Sequence, residues 1–546
     1  MERVAADTIA GRVRPLLLVA TMTTALLKSL REPACFAHQP ADVQIVQTHM
    51  SIVCLAGELV YKLKKAVTFP FADFSQLSMR RRLCREEVRL NRRLCPDTYL
   101  GTAALRRTAC GGVAFSALGD DEGPGDLDVA VVMRRLPAQR MLDELVRQRA
   151  VCPAEIEALA RHVAAFHARA ESGPEVVRLA DPNRLVAFAA ANFTELQAMP
   201  GHGLPGPLLD ALAVASAADF ARLLPVLGRR VAACAVDGHG DLHTRNVCMT
   251  EPPAVYDCIE FEPAFRIGDV ATENAFLAMD LRYRGAADLA RVYVQTYAAA
   301  RGDSEMPALL PALCAYRAMV RAKVASLAAA DPELPAADRE GARHSAWRHL
   351  MLAAAYSVEQ RGPWWVVVCG PPASGKTRLC RTLAEVAHWP HLNTDAVRKE
   401  LAGIAPDRPA GPEHYTAPFS QRTYAEVLAR AGRCAQRGET VVLLDGNFAT
   451  PDLRERALTA ARAAGTRMLV VCVDVDAATA ATRAAARQRE SGNVSDAGPE
   501  LAIALRARFA PPTAAEGAPV LALDGGGGDL AALVMAALLD GHRAPR

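Results

Sequence analysis

The strongest constraint on the fold is a glycine-rich stretch, residues 370–377, which directly follows a run of large apolar residues. That run, Trp364–Cys369, is typical of a buried β-strand. The stretch itself reads G-x-x-x-x-G-K-T, the phosphate-binding loop that connects a strand to a helix. Backbone N–H groups of such a loop, and the N-terminus of the helix after it, face phosphate oxygens. We therefore expect a nucleotide site made of Gly370, Pro371, Pro372, Ala373, Ser374, Gly375, Lys376 and Thr377.

Chemistry can be assigned to three residues in and after this loop. Lys376 is expected to neutralise β- and γ-phosphate oxygens, and the Thr377 hydroxyl to bind magnesium. The apolar run 441–444 ends in Asp445, the form of a Walker B strand, so Asp445 is predicted to hold the magnesium water shell. Apolar runs alternate with helical segments throughout this half, which predicts an α/β P-loop domain with a parallel sheet. These runs end at Leu392, Leu444, Val473 and Leu523.

Two further groups have alternative interpretations. Asp395 follows the second apolar run. In one interpretation it orients or deprotonates an acceptor hydroxyl while Arg398 binds the acceptor. In the other, Asp395 only caps the next helix. Arginines then occur on one helical segment, where they either close a lid over the transferring phosphate or form a solvated face. They are Arg483, Arg487 and Arg489, of which Arg487 is assigned to the nucleotide.

A second motif, His239–Asn246, lies in the first half of the chain and reads H-x-D-x-x-x-x-N, the spacing of a kinase catalytic loop. In such a loop Asp241 accepts the proton of an attacking hydroxyl, and Asn246 reaches a magnesium ion. A short predicted strand ends at Asp257, the position of the main metal ligand. Alone, the motif is also compatible with a polar turn.

The rest of a kinase site requires a phosphate-holding lysine and a carboxylate that pairs with it. A predicted β-hairpin ends in lysines, which could simply be solvated; Lys62, rather than Lys64, aligns with the V-A-I-K pattern. A helix is predicted over Ser75–Leu94, and Glu87 falls within its apolar arc, with Glu86 at the edge. Because a glutamate on an apolar face is unfavourable unless paired, we predict that Glu87 pairs with Lys62.

These motifs resemble the aminoglycoside phosphotransferase-like (protein-kinase-like) family, over roughly residues 43–330. The resemblance implies an α+β two-lobed domain in which Asp241 is the catalytic base and Asn246 and Asp257 are magnesium ligands. It also implies that adenine meets the backbone near Met133. One departure is the lack of a G-x-G-x-x-G loop between the first strands. The motifs that carry the resemblance are His239–Asn246, Tyr256–Phe261, Thr48–Ser51, Val60–Lys65, Glu86–Leu94 and Phe276–Leu281.

The second half, residues 363–546, resembles P-loop kinases of the zeta-toxin and polynucleotide-kinase type, an AAA-type ATP-binding domain. Its phosphate loop, Asp395 and Ser495–Ala497 carry that resemblance. Four segments follow: an N-terminal extension (1–42), a kinase-like domain (43–330), a helical linker (331–362) and a P-loop domain (363–546).

Composition limits the partners. The net charge of +3 over 546 residues is too small to favour nucleic acid, or an anionic membrane, as an obligate partner. The 14 cysteines include no C-x-x-C pair, and many free thiols favour a reducing cytoplasm. The apolar run Pro15–Leu27 lacks a small-residue cleavage site and is expected to be an extra helix or extension.

Together these features predict a bifunctional kinase that uses ATP and magnesium to phosphorylate hydroxyl groups of small molecules. The sequence does not specify either acceptor. One alternative gives the P-loop domain a polynucleotide or nucleotide-sugar acceptor. Another makes the first domain a non-catalytic nucleotide sensor, although intact Lys62, Asp241, Asn246 and Asp257 count against it.

Overall fold

The computed structural model describes residues 24–48, 50–69, 72–332, 334–408, 410–487 and 505–541, without the side chains of residues 24–25, 69 and 486–487. The chain forms two compact units. The first comprises Met1–Ala180, Ala232–Glu273 and Arg291–Gly302, and the second comprises Asp181–Val231, Asn274–Ala290 and Asp303–Arg546.

Strands and helices are numbered in chain order. The strands are β1 Val43–Gln47, β2 Ser51–Ala56, β3 Leu59–Lys64, β4 Thr68–Phe69, β5 Ala72–Asp73, β6 Tyr99–Arg107, β7 Val113–Phe115, β8 Asp126–Arg134, β9 Ala235–Asp237, β10 Val247–Cys248, β11 Ala254–Val255, β12 Ile267–Asp269, β13 Trp364–Cys369, β14 His391–Asn393, β15 Val441–Asp445, β16 Arg467–Asp474 and β17 Val520–Asp524. The helices are α1 Thr24–Ser29, α2 Leu77–Asn91, α3 Leu142–Arg147, α4 Pro153–Arg169, α5 Pro174–Leu179, α6 Pro182–Ala198, α7 Gly206–Cys234, α8 Pro263–Arg266, α9 Val270–Tyr283, α10 Ala287–Arg301, α11 Met306–Ala330, α12 Ala336–Glu359, α13 Lys376–Ala387, α14 Thr394–Ala402, α15 Ala417–Gln436, α16 Pro451–Ala463, α17 Ala477–Arg487 and α18 Leu530–Asp540.

An antiparallel sheet in the order β1-β2-β3-β8-β6-β7 forms the base of the first unit. The predicted hairpin is confirmed: β2 and β3 pair around a turn in which Gly57 adopts a φ of +60°, a left-handed conformation that glycine tolerates. Successive side chains of a strand point to opposite faces, so Tyr61 and Leu63 enter one core while Lys62 and Lys64 face α2. The strand therefore delivers both lysines to the same side.

The core on the other face of this sheet includes residues from the N-terminal side of residue 43. Leu30 and Phe36 are buried there, and the ring of Phe36 lies 5.0 Å from that of Tyr61. Fully burying a side chain of this size contributes about 1.5–3 kcal/mol. The described part of the expected N-terminal extension thus belongs to the core of the lobe. Residues 1–23, with most of the apolar run Pro15–Leu27, lie outside the described residues.

A five-stranded sheet in the order β14-β15-β13-β16-β17 forms the core of the P-loop region, and every neighbouring pair is parallel. The predicted parallel sheet is therefore confirmed. Its central strand, Trp364–Cys369, is buried along its whole length. Because parallel strands end at the same edge of a sheet, the phosphate loop, Asn393 and Asp445 are brought to one edge.

The segment expected to be a helical linker contains α12, which is a core helix of the second unit. Residues 350–355 of this helix are all buried. Helix α12 contacts α11, α13 and α18. The C-terminal half of α12 therefore packs into the core of the second unit, which a spacer between two domains would not do.

One helix in the described part of the chain, Gly206–Cys234, is long and apolar enough to cross a membrane by length and composition alone. This is weak evidence, because core helices of soluble proteins pass the same test. Asp219 of this helix accepts hydrogen bonds from Arg361 within the second unit, at 3.2 and 3.3 Å.

Candidate active sites

Lys62 lies at the centre of the first candidate site, on β3, with its side chain turned towards α2. Its Nζ donates to Glu87 Oε1 at 2.9 Å and to Asp257 Oδ1 at 2.5 Å. The predicted pairing of Lys62 with Glu87 is thus present, whereas Glu86 accepts from Arg89 of the same helix. One ammonium group therefore joins β3, α2 and the segment after β11.

Lys64, the lysine that the V-A-I-K alignment did not favour, forms a second bridge at the same place. Its Nζ donates to Glu87 Oε2 at 2.6 Å and also to Glu260 Oε1. The fully buried Glu87 therefore accepts from a different lysine at each oxygen. Removing one partner from such a buried group leaves an uncompensated charge, which costs about 3–5 kcal/mol.

Burial and charge have opposite effects on the protonation of this cluster. Burial favours the neutral form of Glu87, but Lys62 and Lys64 outweigh it and lower the pKa of Glu87 to about 2. Burial also disfavours the charge on Lys62, and here Asp257 and Glu87 outweigh it, so the pKa of Lys62 lies well above its usual value. Both Glu87 and Lys62 are consequently ionised at neutral pH.

Asp257 reaches Lys62 from an unusual backbone conformation. Its φ of +64° lies in the left-handed region, which costs a non-glycine residue roughly 1–3 kcal/mol. The Asp257 N–H donates to the Tyr99 hydroxyl at 3.2 Å, and the N–H of Cys258 donates to Asn91 Oδ1 at 2.9 Å. Asn91 is one turn after Glu87 on α2. The helix that carries the lysine's partner thus also anchors this strained segment.

Asp241, the predicted catalytic base, is oriented by residues of its own loop. Asn246 Nδ2 donates to Asp241 Oδ2 and to the Asp241 carbonyl oxygen, both at 3.0 Å. His243 Nε2 lies 3.4 Å from the same Oδ2. The Asp241 side chain is 32% exposed, so an oriented carboxylate remains accessible to a hydroxyl group.

Buried hydrogen bonds anchor the beginning of this loop. His239 Nε2 donates to the Tyr256 carbonyl at 3.0 Å, which leaves Nδ1 to accept the Asp241 N–H at 3.3 Å. Burial lowers the pKa of His239, which keeps the ring neutral for this arrangement. Glu273 Oε2 accepts the N–H of His239 at 2.6 Å, and its Oε1 lies 3.0 Å from His167 Nε2. The buried Glu273 carboxylate therefore anchors the start of the loop through its backbone.

Oxygen donors suited to magnesium are present in this site. The Asp257 carboxylate is 44% exposed. The Asn246 amide nitrogen is used on Asp241, which leaves its oxygen for a cation. Carboxylate and amide oxygens are the hard ligands that magnesium prefers, so these residues fit the predicted metal set.

The second candidate site is the phosphate loop between β13 and α13. Gly370 has a φ of +144°, and a Cβ there would lie 2.0 Å from the Val473 carbonyl oxygen, so glycine is required. Lys376 Nζ donates to the Pro371 carbonyl at 2.7 Å. The buried Ser374 Oγ has no hydrogen-bond partner among the described residues. An unsatisfied hydroxyl beside a lysine and a helix N-terminus fits a phosphate ligand.

The glycine-rich loop after β17, for which the motifs predict no role, lies against this phosphate loop. A Cβ on Gly525 would lie 2.1 Å from the Ser374 carbonyl oxygen. The Gly525 N–H donates to the Asp474 carbonyl at 2.7 Å. This contact ties the end of β17 to the end of β16 and packs both against the phosphate loop.

Arg483 of α17 braces the same place. Its Nη2 donates to the Gly525 carbonyl at 3.1 Å, and its Nη1 lies 3.5 Å from the Ser374 carbonyl oxygen. Arg483 is therefore not part of a purely solvated face. The Arg487 side chain and Arg489 lie outside the described residues, so the lid stays a prediction.

Asp445 ends β15 at the sheet edge that carries the phosphate loop. Its Oδ2 accepts from Asn393 Nδ2 at 2.6 Å and lies 3.1 Å from His391 Nε2. Both partners lie on β14, which pairs with β15 in parallel. Burial disfavours the charge on Asp445, but the His391 contact outweighs it and the pKa of Asp445 is lowered. The carboxylate thus stays ionised although it is buried.

Asp395 and Arg398 lie on α14. Asn393, rather than Asp395, caps this helix, since its side chain accepts the Ala396 N–H at 2.9 Å. The interpretation of Asp395 as a helix cap is therefore wrong, and its carboxylate is 28% exposed. Arg398 is buried, and its Nη1 donates to the His414 carbonyl at 2.8 Å. Arg398 thus holds the turn before α15, and its contact with an acceptor stays a prediction.

Comparison with known proteins agrees with this two-part organisation. The family model described as a phosphotransferase enzyme family matches residues 84–312, and the model described as an AAA domain matches residues 366–512. This chain is a phosphotransferase domain followed by an AAA domain. The predicted family and the order of its two folds are thereby confirmed.

Relatives of this phosphotransferase–AAA chain occur in mycobacteria. The Uncharacterized protein Rv2004c of Mycobacterium tuberculosis is 30% identical over 491 residues, which cover 87% of this chain and 92% of the relative. The Uncharacterized protein Mb2027c of Mycobacterium bovis matches with the same values, 30% over 491 residues. The chain belongs to one family with these proteins.

Three solved structures each match part of this chain. The Plasmodium vivax ethanolamine kinase is 9% identical and covers 57% of this chain and 81% of its own, with a TM-score of 0.36. The GDP complex of aminoglycoside 2'-phosphotransferase-IIIa is 12% identical, and the match covers 57% of this chain and 93% of that protein, with a TM-score of 0.34. A gluconokinase from Sinorhizobium meliloti is 20% identical, and the match covers 33% of this chain and 93% of that protein, with a TM-score of 0.23.

Sequence reasoning missed Lys64 and Glu260 in the phosphotransferase domain, and the support that Glu273 gives to the catalytic loop. A signal for the first pair exists, because Lys62 and Lys64 lie two residues apart on one strand and share a face. Both therefore required acidic partners. Glu260 stands between Ile259 and Phe261, and a charge between apolar residues indicates pairing. No local pattern marks Glu273.

Proposed function

We propose that this protein is a bifunctional ATP-dependent phosphotransferase, with one site in each domain and hydroxyl groups of small molecules as acceptors. The observation that carries the proposal is the charge arrangement of the phosphotransferase domain. Lys62 is held between Glu87 and Asp257, while Asn246 orients Asp241. These are the groups that phosphoryl transfer to a hydroxyl requires.

In the phosphotransferase domain, Asp241 is assigned to accept the proton of the acceptor hydroxyl. Asn246 restrains its carboxylate from rotating, and a positioned general base contributes roughly 10²–10⁴-fold to the rate. Lys62 is assigned to the nucleotide phosphates and is kept in place by Glu87. Bound ATP and magnesium would supply the phosphoryl group and neutralise its charge, with Asn246 and Asp257 as metal ligands.

In the AAA domain, the phosphate loop Gly370–Thr377 is assigned to the nucleotide phosphates. Lys376 would leave the Pro371 carbonyl to neutralise them, and Thr377 and Asp445 would hold magnesium. Because Asn393 caps α14, Asp395 is assigned to orient or deprotonate the acceptor hydroxyl.

The proposed chemistry is assigned to the cytoplasm. None of the 14 cysteines, all of which lie in the described part of the chain, forms a disulfide bond in this structure. A reducing compartment keeps cysteines from forming disulfides.

Transfer of the ATP γ-phosphate tests the proposal. Wild type, Asp241→Ala, Lys376→Ala and the double variant are compared over a panel of hydroxyl-bearing metabolites, with the exposed Asp97→Ala as the control. We expect each single variant to lose a different set of acceptors, and the double variant to lose all transfer. Loss only in Lys376→Ala would reduce the phosphotransferase domain to a nucleotide sensor. Unchanged transfer in the double variant would overturn the mechanism.

A further inference from the structure

Three side chains from three elements of the AAA domain meet beside the phosphate loop. Cys380 comes from α13, His391 from β14, and Asp445 from the end of β15. The Cys380 sulfur, a His391 ring nitrogen and an Asp445 oxygen all lie within 4.8 Å of one another. Cys380 follows Lys376 by one helical turn, or about 6 Å along the axis. The cluster is thus next to the phosphate-binding lysine but deeper in the domain.

The three groups differ in their hydrogen bonding. His391 Nε2 and Asp445 Oδ2 are 3.1 Å apart. The fully buried Cys380 thiol, by contrast, makes no hydrogen bond to the described residues, although it lies beside both groups. The His391 side chain is 18% exposed, so the cluster is connected to solvent on one side.

From this geometry we propose that Cys380, His391 and Asp445 form a binding site for a borderline divalent cation of the zinc type. Thiolate, imidazole and carboxylate are the three ligand types of protein zinc sites. Ligand atoms around tetrahedral zinc lie about 3.5 Å apart, so the observed cluster closes on an ion by rotamer adjustments of roughly 1 Å. Three protein ligands leave a fourth position for water, as in zinc sites that stay open.

The proposed site shares Asp445 with the magnesium site assigned to Thr377 and Asp445, but its other two ligands prefer a different ion. Magnesium and calcium select oxygen ligands, whereas a thiolate and an imidazole select zinc, cobalt and similar ions. Asn393 Nδ2 donates to Asp445 Oδ2 at 2.6 Å and orients the carboxylate from outside. Loss of such a supporting hydrogen bond commonly lowers metal affinity by about 10–100-fold.

Proton balance follows from the ligands. The Cys380 thiol loses its proton to solvent when the sulfur binds the ion. The proton on His391 Nε2 moves to Nδ1, so that Nε2 can bind without a net change on the ring. One proton is therefore released for each ion bound, and affinity rises with pH.

The consequence for catalysis rests on the proposed function of the AAA domain. Asp445 is assigned there to the magnesium shell, and a borderline cation would hold the same carboxylate. Occupation of the cluster would thus inhibit transfer that depends on Lys376 and spare transfer that depends on Asp241.

Cobalt(II) titration of the full-length protein, in excess magnesium, tests the site without any turnover. Cobalt bound to a thiolate gives a charge-transfer absorption in the near ultraviolet. We expect wild type to show this band at one equivalent of cobalt, and Cys434→Ser, a half-buried cysteine of the same unit, to match it. Cys380→Ser should lose the band, and His391→Gln should bind at least tenfold more weakly. Circular dichroism confirms that both variants are folded.

Two results would overturn the inference. One is an unchanged band in Cys380→Ser, which would assign the cobalt to another cysteine. The other is a wild-type protein that shows no band at saturating cobalt. Because neither result depends on phosphoryl transfer, failure of this site is distinguishable from failure of the proposed function.

Discussion

Glu273 illustrates how a single buried charge supports the catalytic loop. It accepts backbone N–H groups of His239 and Gly240 at 2.6 and 3.2 Å and also contacts His167. Burial alone would raise its pKa, but the His167 contact and the N–H donors outweigh burial and lower the pKa of Glu273 to about 2. In the folded state this carboxylate therefore stays ionised at pH values well below its usual pKa of 4.5.

The first prediction concerns the pH dependence of stability. Since the folded pKa of Glu273 lies below the unfolded value, its contribution is complete above the unfolded pKa and declines as pH falls towards 2. Between about pH 6 and pH 3, this group should account for roughly 2 kcal/mol of lost unfolding free energy. Urea denaturation at both pH values measures that loss, and Glu273→Gln should reduce it.

Glu157→Gln in the same unit, where the side chain is 42% exposed, provides the control and should keep most of the wild-type difference between the two pH values. An equally large difference in Glu273→Gln would mean that this carboxylate is not ionised at low pH in the folded protein.

At the scale of single residues, the sequence predicts those groups whose environment follows from local pattern. Glu87 is predicted because it falls within the apolar arc of its helix, where a glutamate is favourable only if it pairs with a cation such as Lys62. Lys64 and Glu260, which are separated by 196 positions, meet only because β3 and the segment after β11 fold together. Such long-range pairs depend on tertiary packing, so no spacing rule reveals them.

At the scale of elements, Lys64 connects three parts of the phosphotransferase domain: β3, α2 and the segment after Asp257. Lys64→Met should leave Glu260 buried without a partner and release this segment. We expect kcat to fall about 10²-fold, because small displacements of reacting groups have effects of that size. The magnesium concentration for half-maximal rate should also rise, since Glu260 follows the predicted ligand Asp257 by three residues.

Steady-state kinetics over a magnesium series measures both effects. Lys64→Arg, which keeps the charge, should recover part of the rate, and Lys65→Met, next along the chain, should resemble wild type. A Lys64→Met protein with reduced kcat but an unchanged magnesium requirement would contradict the positioning role and leave only a structural one.

The loop after β17 gives a second prediction at this scale. A Cβ on Gly525 would lie 2.1 Å from the Ser374 carbonyl oxygen, so Gly525→Ala should displace the phosphate loop. A Cβ on Gly527 would come no closer than 3.8 Å to its nearest neighbour, Asp524, so Gly527→Ala is the matched control. We expect nucleotide affinity at the AAA domain, measured by calorimetry in Lys62→Met protein, to fall at least tenfold only for Gly525→Ala. Equal affinities would contradict the contact.

Most elements were predictable because their boundaries carry local signals. Helix α2 was expected over 75–94 and occupies Leu77–Asn91, and the strands of the parallel sheet end within one residue of the expected positions. Helix α12 was expected to belong to a linker. Its burial could not be foreseen, because an alanine-rich helix carries little amphipathic pattern, and burial then depends on which neighbours pack against it.

At the scale of the whole molecule, the compact units do not follow the boundaries expected from the motifs. Residues 181–231, 274–290 and 303–330 lie within the kinase-like segment of the sequence but cluster with the second unit. Motifs locate the residues that perform chemistry, whereas compactness reflects helix packing. Each proposed nucleotide site nevertheless lies within one unit, since Lys62, Asp241 and Asp257 belong to the first and the phosphate loop belongs to the second.

The central claim is that the chain carries two separate nucleotide sites, and binding stoichiometry tests it most directly. Equilibrium dialysis with a labelled non-hydrolysable ATP analogue and magnesium should give two nucleotides per wild-type chain. Lys376→Ala and Lys62→Met should each bind one, and the double variant none. A wild-type stoichiometry of one, abolished by Lys376→Ala alone, would contradict the account.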